Sequence, residues 1–125
     1  MIINSPLSVP VSKHKKFILN LNNYRNSHYQ ILNKAKINYK AIINEQIKDL
    51  EPMDKVCINY TLFPKSKRLT DIGNVVSIHK KFIEDALVEL GKLPDDNYNH
   101  VLGSSECFGY VDKDNPRVEA NIIPV

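Results

Sequence analysis

The stretch from Arg68 to Asp96, RLTDIGNVVSIHKKFIEDALVELGKLPDD, carries the residue types best suited to chemistry. Asp71 precedes an amphipathic segment, and Asp95 and Asp96 follow it. Carboxylates packed together raise one another's pKa and cost stability unless a cation offsets the repulsion. Oxygen-only ligands suit Mg²⁺ or Mn²⁺, which keep waters and take phosphate oxygens as further ligands. Such an ion activates water and stabilises the leaving oxygen of a phosphodiester. Lys81 and Asp85 stand at i and i+4 on the polar side of the same segment, where Lys81 would steady a phosphate. The run PKSKR, with Lys65, Lys67 and Arg68, would hold flanking nucleic-acid backbone.

Each of these residues also has a commoner structural use. An isolated DD is usually a solvated turn, and an Asp ahead of a helix usually serves its N-terminus. Lys81 with Asp85 reads equally as a surface ion pair worth ~0.3–0.5 kcal/mol. His14, His28, His79 and His100 lack metal-ligand spacing and read as surface or satisfied polar residues. No Ser/His/Asp or Cys/His arrangement and no glycine-rich phosphate loop is present.

The elements that must position these groups follow from periodicity. Residues 1–15, with Pro6 and Pro10, read as an extended N-terminal arm. Residues 16–22 alternate, with Phe17, Leu19 and Leu21 on one face of a strand. Asn26 or Ser27 caps a helix to about Leu50, with Leu32, Ala35, Tyr39, Ile42, Ile43 and Leu50 as its apolar stripe. Residues 55–63 form a second strand with Val56, Ile58, Tyr60 and Leu62 inward. A second helix, capped by Asn74 or Ser77, runs to Leu90 with Val75, Ile78, Phe82, Ala86 and Leu90 inward, and Gly91 stops it. The remainder reads as a hairpin, residues 98–110 and 118–123 about a turn at 112–116. The expected order is β-α-β-α-β-β, an α+β domain with a mixed sheet against two main helices. The second helix is about 22 Å long. The six residues after it cover about 20 Å if extended. A return alongside the helix would thus carry Asp95 or Asp96 back toward Asp71.

Composition sets the limits. The 125 residues make one domain, 42% hydrophobic and 25% charged, with seventeen Lys+Arg against fourteen Asp+Glu. A net charge of +3 permits a polyanionic partner without requiring one. Cys57 and Cys107 belong to no CxxC pair and read as reduced, mostly buried thiols. No signal peptide and no membrane span is legible, so a soluble cytoplasmic protein is expected.

In the stretch already quoted, Arg68, Asp71-Ile72-Gly73-Asn74, Lys81, Asp85-Ala86-Leu87 and Asp95-Asp96 stand in a telling order. That order resembles the RusA family of Holliday junction resolvases, whose pattern is an Arg-rich segment, D-x-D-N, a Lys, D-A-L and a terminal D-D. Upstream, LNLNNYRNSHYQ, NKAK and INYTLFPKSKR are similar to phage-type members, so the likeness spans most of the chain. It implies a RusA-like fold and a homodimer that binds four-way DNA junctions. It also implies metal-dependent phosphodiester hydrolysis, with Mg²⁺ or Mn²⁺, in DNA recombination and repair in a bacterial or phage-infected cytoplasm. Carried over, Asp71 and Asp96 become metal ligands, Lys81 the active-site lysine, and Asp95 the neighbouring acid. Lys65, Lys67 and Arg68 fall in the DNA-holding segment. Two departures stand out. Gly73 replaces the second acid of D-x-D-N, and roughly one helical turn is inserted before DAL. Counted from Asn74, Ser77 rather than Lys81 takes the lysine's place. Water, Asp85, Glu84 or Glu119 are the candidates to replace the missing carboxylate, and a junction-binding protein with weakened catalysis is the alternative that Gly73 raises.

Overall fold

A computed structural model describes residues 1–125. In chain order the elements are β1 (Ile2–Pro6), β2 (Ser8–Pro10), β3 (Lys16–Ile18), α1 (Leu21–Asn26), α2 (Tyr29–Ile47), β4 (Val56–Phe63), α3 (Ile72–Glu89), β5 (Val101–Phe108) and β6 (Arg117–Pro124). The alternation expected in β4 holds: Val56, Ile58, Tyr60 and Leu62 are buried. This strand lies inside a mixed sheet of order β1-β6-β4-β5. It pairs antiparallel with β6 and parallel with β5. A parallel pair needs a long crossover, and α3 supplies it. α2 and α3 lie side by side on one face of the sheet, so the domain is α+β. None of its helices is long and apolar enough to cross a membrane.

The expected hairpin is not formed, because β4 lies between its two arms. Burial explains the choice. Val118, Ala120 and Ile122 of β6 are all buried and need neighbours on both sides, whereas β5 is exposed along nearly its whole length and suits an edge. The 109–116 connection crosses the end of β4 and is pinned there by Asp112 N–H donating to the Pro64 carbonyl at 2.8 Å. Nor is the N-terminal segment a free arm. β1 pairs with β6, and β2 with β3 in a small second sheet. The strand expected over 16–22 stops at Ile18, since the Asn20 side chain accepts from Asn23 N–H and starts α1. α2 begins at Tyr29 with His28 as its cap, and ends at Ile47. α3 starts earlier than Asn74, because Asp71 is its cap.

Two faces of α3 are covered. Phe82 stacks on Phe17 at 6.2 Å between ring centroids and meets Tyr24 and Tyr39 edge-on, joining β3, α1 and α2. His79, fully buried rather than at the surface, reaches β1: its Nδ1 lies 2.6 Å from Ser5 Oγ, which also bonds the Tyr39 hydroxyl. The sheet's other face is uncovered. Cys57 and Cys107 are free thiols on that face, and for that reason the first is only half-buried and the second exposed, rather than mostly buried as expected.

Burial depresses the His79 pKa to about 3. The folded ring stays neutral while the unfolded chain takes up a proton below its ordinary value of 6.5. This contribution to stability is therefore complete above that pH and declines as pH falls toward 3, at up to ~1.4 kcal/mol per pH unit. His79→Gln removes the titration but keeps hydrogen-bonding capacity, and should flatten that acid limb in urea unfolding curves. An unchanged limb would assign it to other groups.

Candidate functional site

Gly73, Ser77, Lys80 and Glu84 recur at i, i+4, i+7 and i+11 and so share one face of α3. That face meets β5. Its even-numbered side chains point to the helix: Lys80 Nζ donates to Ser104 Oγ at 2.9 Å, and Glu106 lies against Gly73. A Cβ placed on Gly73 would be 3.5 Å from Glu106 Oε1 and 3.6 Å from Asp71 Oδ1. Two carboxylates thus flank the position where an acid of the D-x-D-N pattern is absent. Asp71 Oδ1 also accepts from Gly73 N–H at 3.1 Å, so the residue serves as the helix cap as well.

About three turns along α3 from Gly73, Glu84 is 5% exposed and bound from two sides. The Tyr60 hydroxyl donates to its Oε2 at 3.3 Å, and Lys80 Nζ stands 3.5 Å from the same oxygen. Burial pushes the Glu84 carboxyl up, Lys80 and Tyr60 pull it back, and the charge of Asp96 pushes it further up. Burial, followed by the Glu84 charge, also raises the Tyr60 phenol. The side chain of Lys80 remains 40% exposed, within reach of an outside anion. Ser77 Oγ, on the same face, is buried without a partner.

The residues singled out from sequence are distributed around this face. Gly91, at φ 75°, does reverse the chain. Residues 91–100 then stay near the end of α3: Lys92 Nζ donates to the Leu50 carbonyl at 2.6 Å, and Met53 N–H to the Lys92 carbonyl at 2.8 Å. The strand that travels back along α3 is β5, and the carboxylate it delivers to Gly73 is that of Glu106. Asp96 lies where its charge reaches Glu84, toward the far end of α3, so the expected return of Asp95 or Asp96 to Asp71 does not occur: the chain after Gly91 stays at that end and enters β5 there. Asp95 is occupied within its own turn, accepting from Asp96 N–H at 2.7 Å and from Asn97 Nδ2 at 3.1 Å. Lys81 points to another face, with Nζ 5.9 Å from the Tyr24 ring centre. Lys80 is the lysine that faces β5. Asp85 lines the cleft beside Lys36 and Lys40, and Glu119 is bound to Arg117 at 2.7 Å. Of the acids weighed to replace the one missing at Gly73, only Glu84 stands on this face. No three His, Cys, Asp or Glu side chains group closely enough to form a ready ligand set. Lys65, Lys67 and Arg68 lie exposed in the loop before α3, and none makes an ion pair.

Sequence reasoning missed Glu106, Lys80, Ser104 and Tyr60. A period-two pattern in residues 102–108 puts Ser104 and Glu106 on one side, but only the pairing of β5 with β4 shows that this side meets α3. No family model matches the chain, and no curated protein matches it at a significant level.

The two lysines are separable by experiment. Lys80→Met strands a nearly buried carboxylate and should cost about 1–3 kcal/mol in denaturant unfolding. Lys81→Met, at the surface, should stay within about 0.5 kcal/mol of wild type. Equal effects would mean that Glu84 does not depend on Lys80.

Proposed function

We propose that this chain is a metal-dependent endodeoxyribonuclease that cuts branched DNA, in the manner of the RusA-like resolvases it resembles. The observation that carries the reading is the α3 face on which Asp71, Glu106, Lys80 and Glu84 line up beside a loop of unpaired cations. The two side-chain atoms nearest a Cβ on Gly73 are both carboxylate oxygens. That donor set fits Mg²⁺ or Mn²⁺, which bind through one or two carboxylates and keep several waters. An ion held by Asp71 and Glu106 would supply an activated water and polarise the phosphate. Lys80, fixed by Ser104 and Glu84, would meet a phosphate oxygen, and Lys65, Lys67 and Arg68 would hold the flanking backbone. Asp96 adds negative potential beside Glu84, and it is the freer of the Asp95-Asp96 pair. A homodimer would match the two-fold symmetry of a four-way junction.

A second reading, a junction-binding protein with weakened catalysis, is favoured by Gly73 and by the lack of a three-ligand group. Incubating the protein with a synthetic four-way junction and Mg²⁺ or Mn²⁺ distinguishes them. Metal-dependent nicks are expected. Asp71→Asn and Glu106→Gln should each reduce nicking by at least roughly 10–100-fold, the scale seen when a metal's surroundings are disturbed, and Asp96→Asn, about three helical turns away beside Glu84, by less. All three should bind the junction normally in chelator. Tight junction binding without any nick supports the second reading, and failure to prefer junction over duplex eliminates both. Gly73→Asp supplies the absent acid, and melting temperature should then rise on adding Mg²⁺ by more than in wild type.

A further inference from the structure

The loop of 64–70 and the chain after β5 enclose a groove of about 380 Å³, floored by Leu62 and Ile72 and walled by Phe108 and Val111. Phe108 is 53% exposed and Tyr110 58%, which leaves two aromatic rings in solvent beside a basic loop. The wall is braced from behind. Tyr110 packs edge-on against Phe63 at 4.8 Å, and the Arg117 guanidinium sits 4.0 Å over that same ring while bound to Asp112 and Glu119. Between the two exposed rings, a Cβ on Gly109 would lie 2.5 Å from Phe63 Cε1. Only a residue without a side chain lets the chain pass so close. Lys67 and Arg68 rim the groove, and Lys65, Lys67 and Lys113 line the depression that adjoins it. None of the four cations is ion-paired.

We infer that this groove holds an unpaired nucleobase, stacked on Phe108, with Lys65, Lys67 and Lys113 on the neighbouring phosphates. An apolar cleft rimmed by free cations suits a ligand that is flat and apolar at its centre and anionic at its edge. An apolar protein surface would instead have to desolvate those cations without neutralising them. Stacking of a base on an aromatic ring needs no particular sequence, and the phosphates supply salt-sensitive attraction. The inference rests on the DNA-cutting reading and narrows its substrate to DNA with unpaired nucleotides at or beside the branch.

The test compares a dT oligomer with an abasic oligomer of equal length and charge, in chelator, so that cleavage plays no part. Wild type should bind the dT oligomer about 5-fold or more tightly, the lower end of one stacked base. Phe108→Leu, which keeps an apolar side chain at the strand end, should erase that preference. Lys113→Ala should weaken both oligomers alike and reduce the salt dependence. The chain contains no Trp, so Phe108→Trp introduces a single indole whose emission dT should quench and the abasic oligomer should not. Equal affinities in wild type, a preference that survives in Phe108→Leu, or a self-association lost in that variant would each overturn the inference. Base preference without metal-dependent nicking would leave the groove assignment standing and sink the nuclease reading. Nicking without base preference would do the reverse.

Discussion

The parallel pairing of β4 with β5, bridged by α3, is the constraint from which the candidate site follows. A parallel neighbour must re-enter the sheet from the end where β4 began. The chain therefore travels the length of α3, turns at Gly91, and starts β5 opposite Val56. Once that register is fixed, Ser104 and Glu106 have to face α3, Ser104 at Lys80 and Glu106 at Gly73. A hairpin of β5 with β6 would have removed Glu106 from the helix altogether.

Polar groups on this face are arranged in two ways. Toward the middle of α3, Glu84 is enclosed with Tyr60 and Lys80, and its raised pKa reflects burial that its two partners only partly offset. Toward the N-terminus, Asp71 and Glu106 are solvated and carry no cationic partner. The first arrangement fixes the direction of a lysine, and the second leaves carboxylates free for an outside cation. The opposite side of α3 contributes rigidity rather than chemistry. There Phe82 gathers Phe17, Tyr24 and Tyr39, while His79 ties β1 and α2 through Ser5. Pre-formed geometry of this kind is what a site needs if its side chains are not to be repositioned for each ligand.

The amino-acid sequence by itself determined the elements with strong periodicity. β4 was legible from Val56, Ile58, Tyr60 and Leu62, and α2 from Ala35, Tyr39 and Ile43. Gly91 announced the end of α3, and Lys65, Lys67 and Arg68 marked an exposed basic loop. Asp71 stood out as a residue at a helix start, where capping and ligand chemistry both draw carboxylates. Local signals sufficed for these, because each depends on residues within a turn or two of one another.

Tertiary structure decided what lies beside what. Lys80 and Lys81 are adjacent in sequence, yet a step of one residue rotates a side chain by about 100° around the helix, and packing alone settled that Lys80 looks toward β5. The edge position of β5 was likewise a competition, in which the fully apolar inner face of β6 required the centre and the polar β5 tolerated the rim. Glu106 reached Gly73 as a consequence of that competition. Nothing within its own stretch of chain could have indicated it, because its partner is supplied by a helix that begins more than thirty residues earlier.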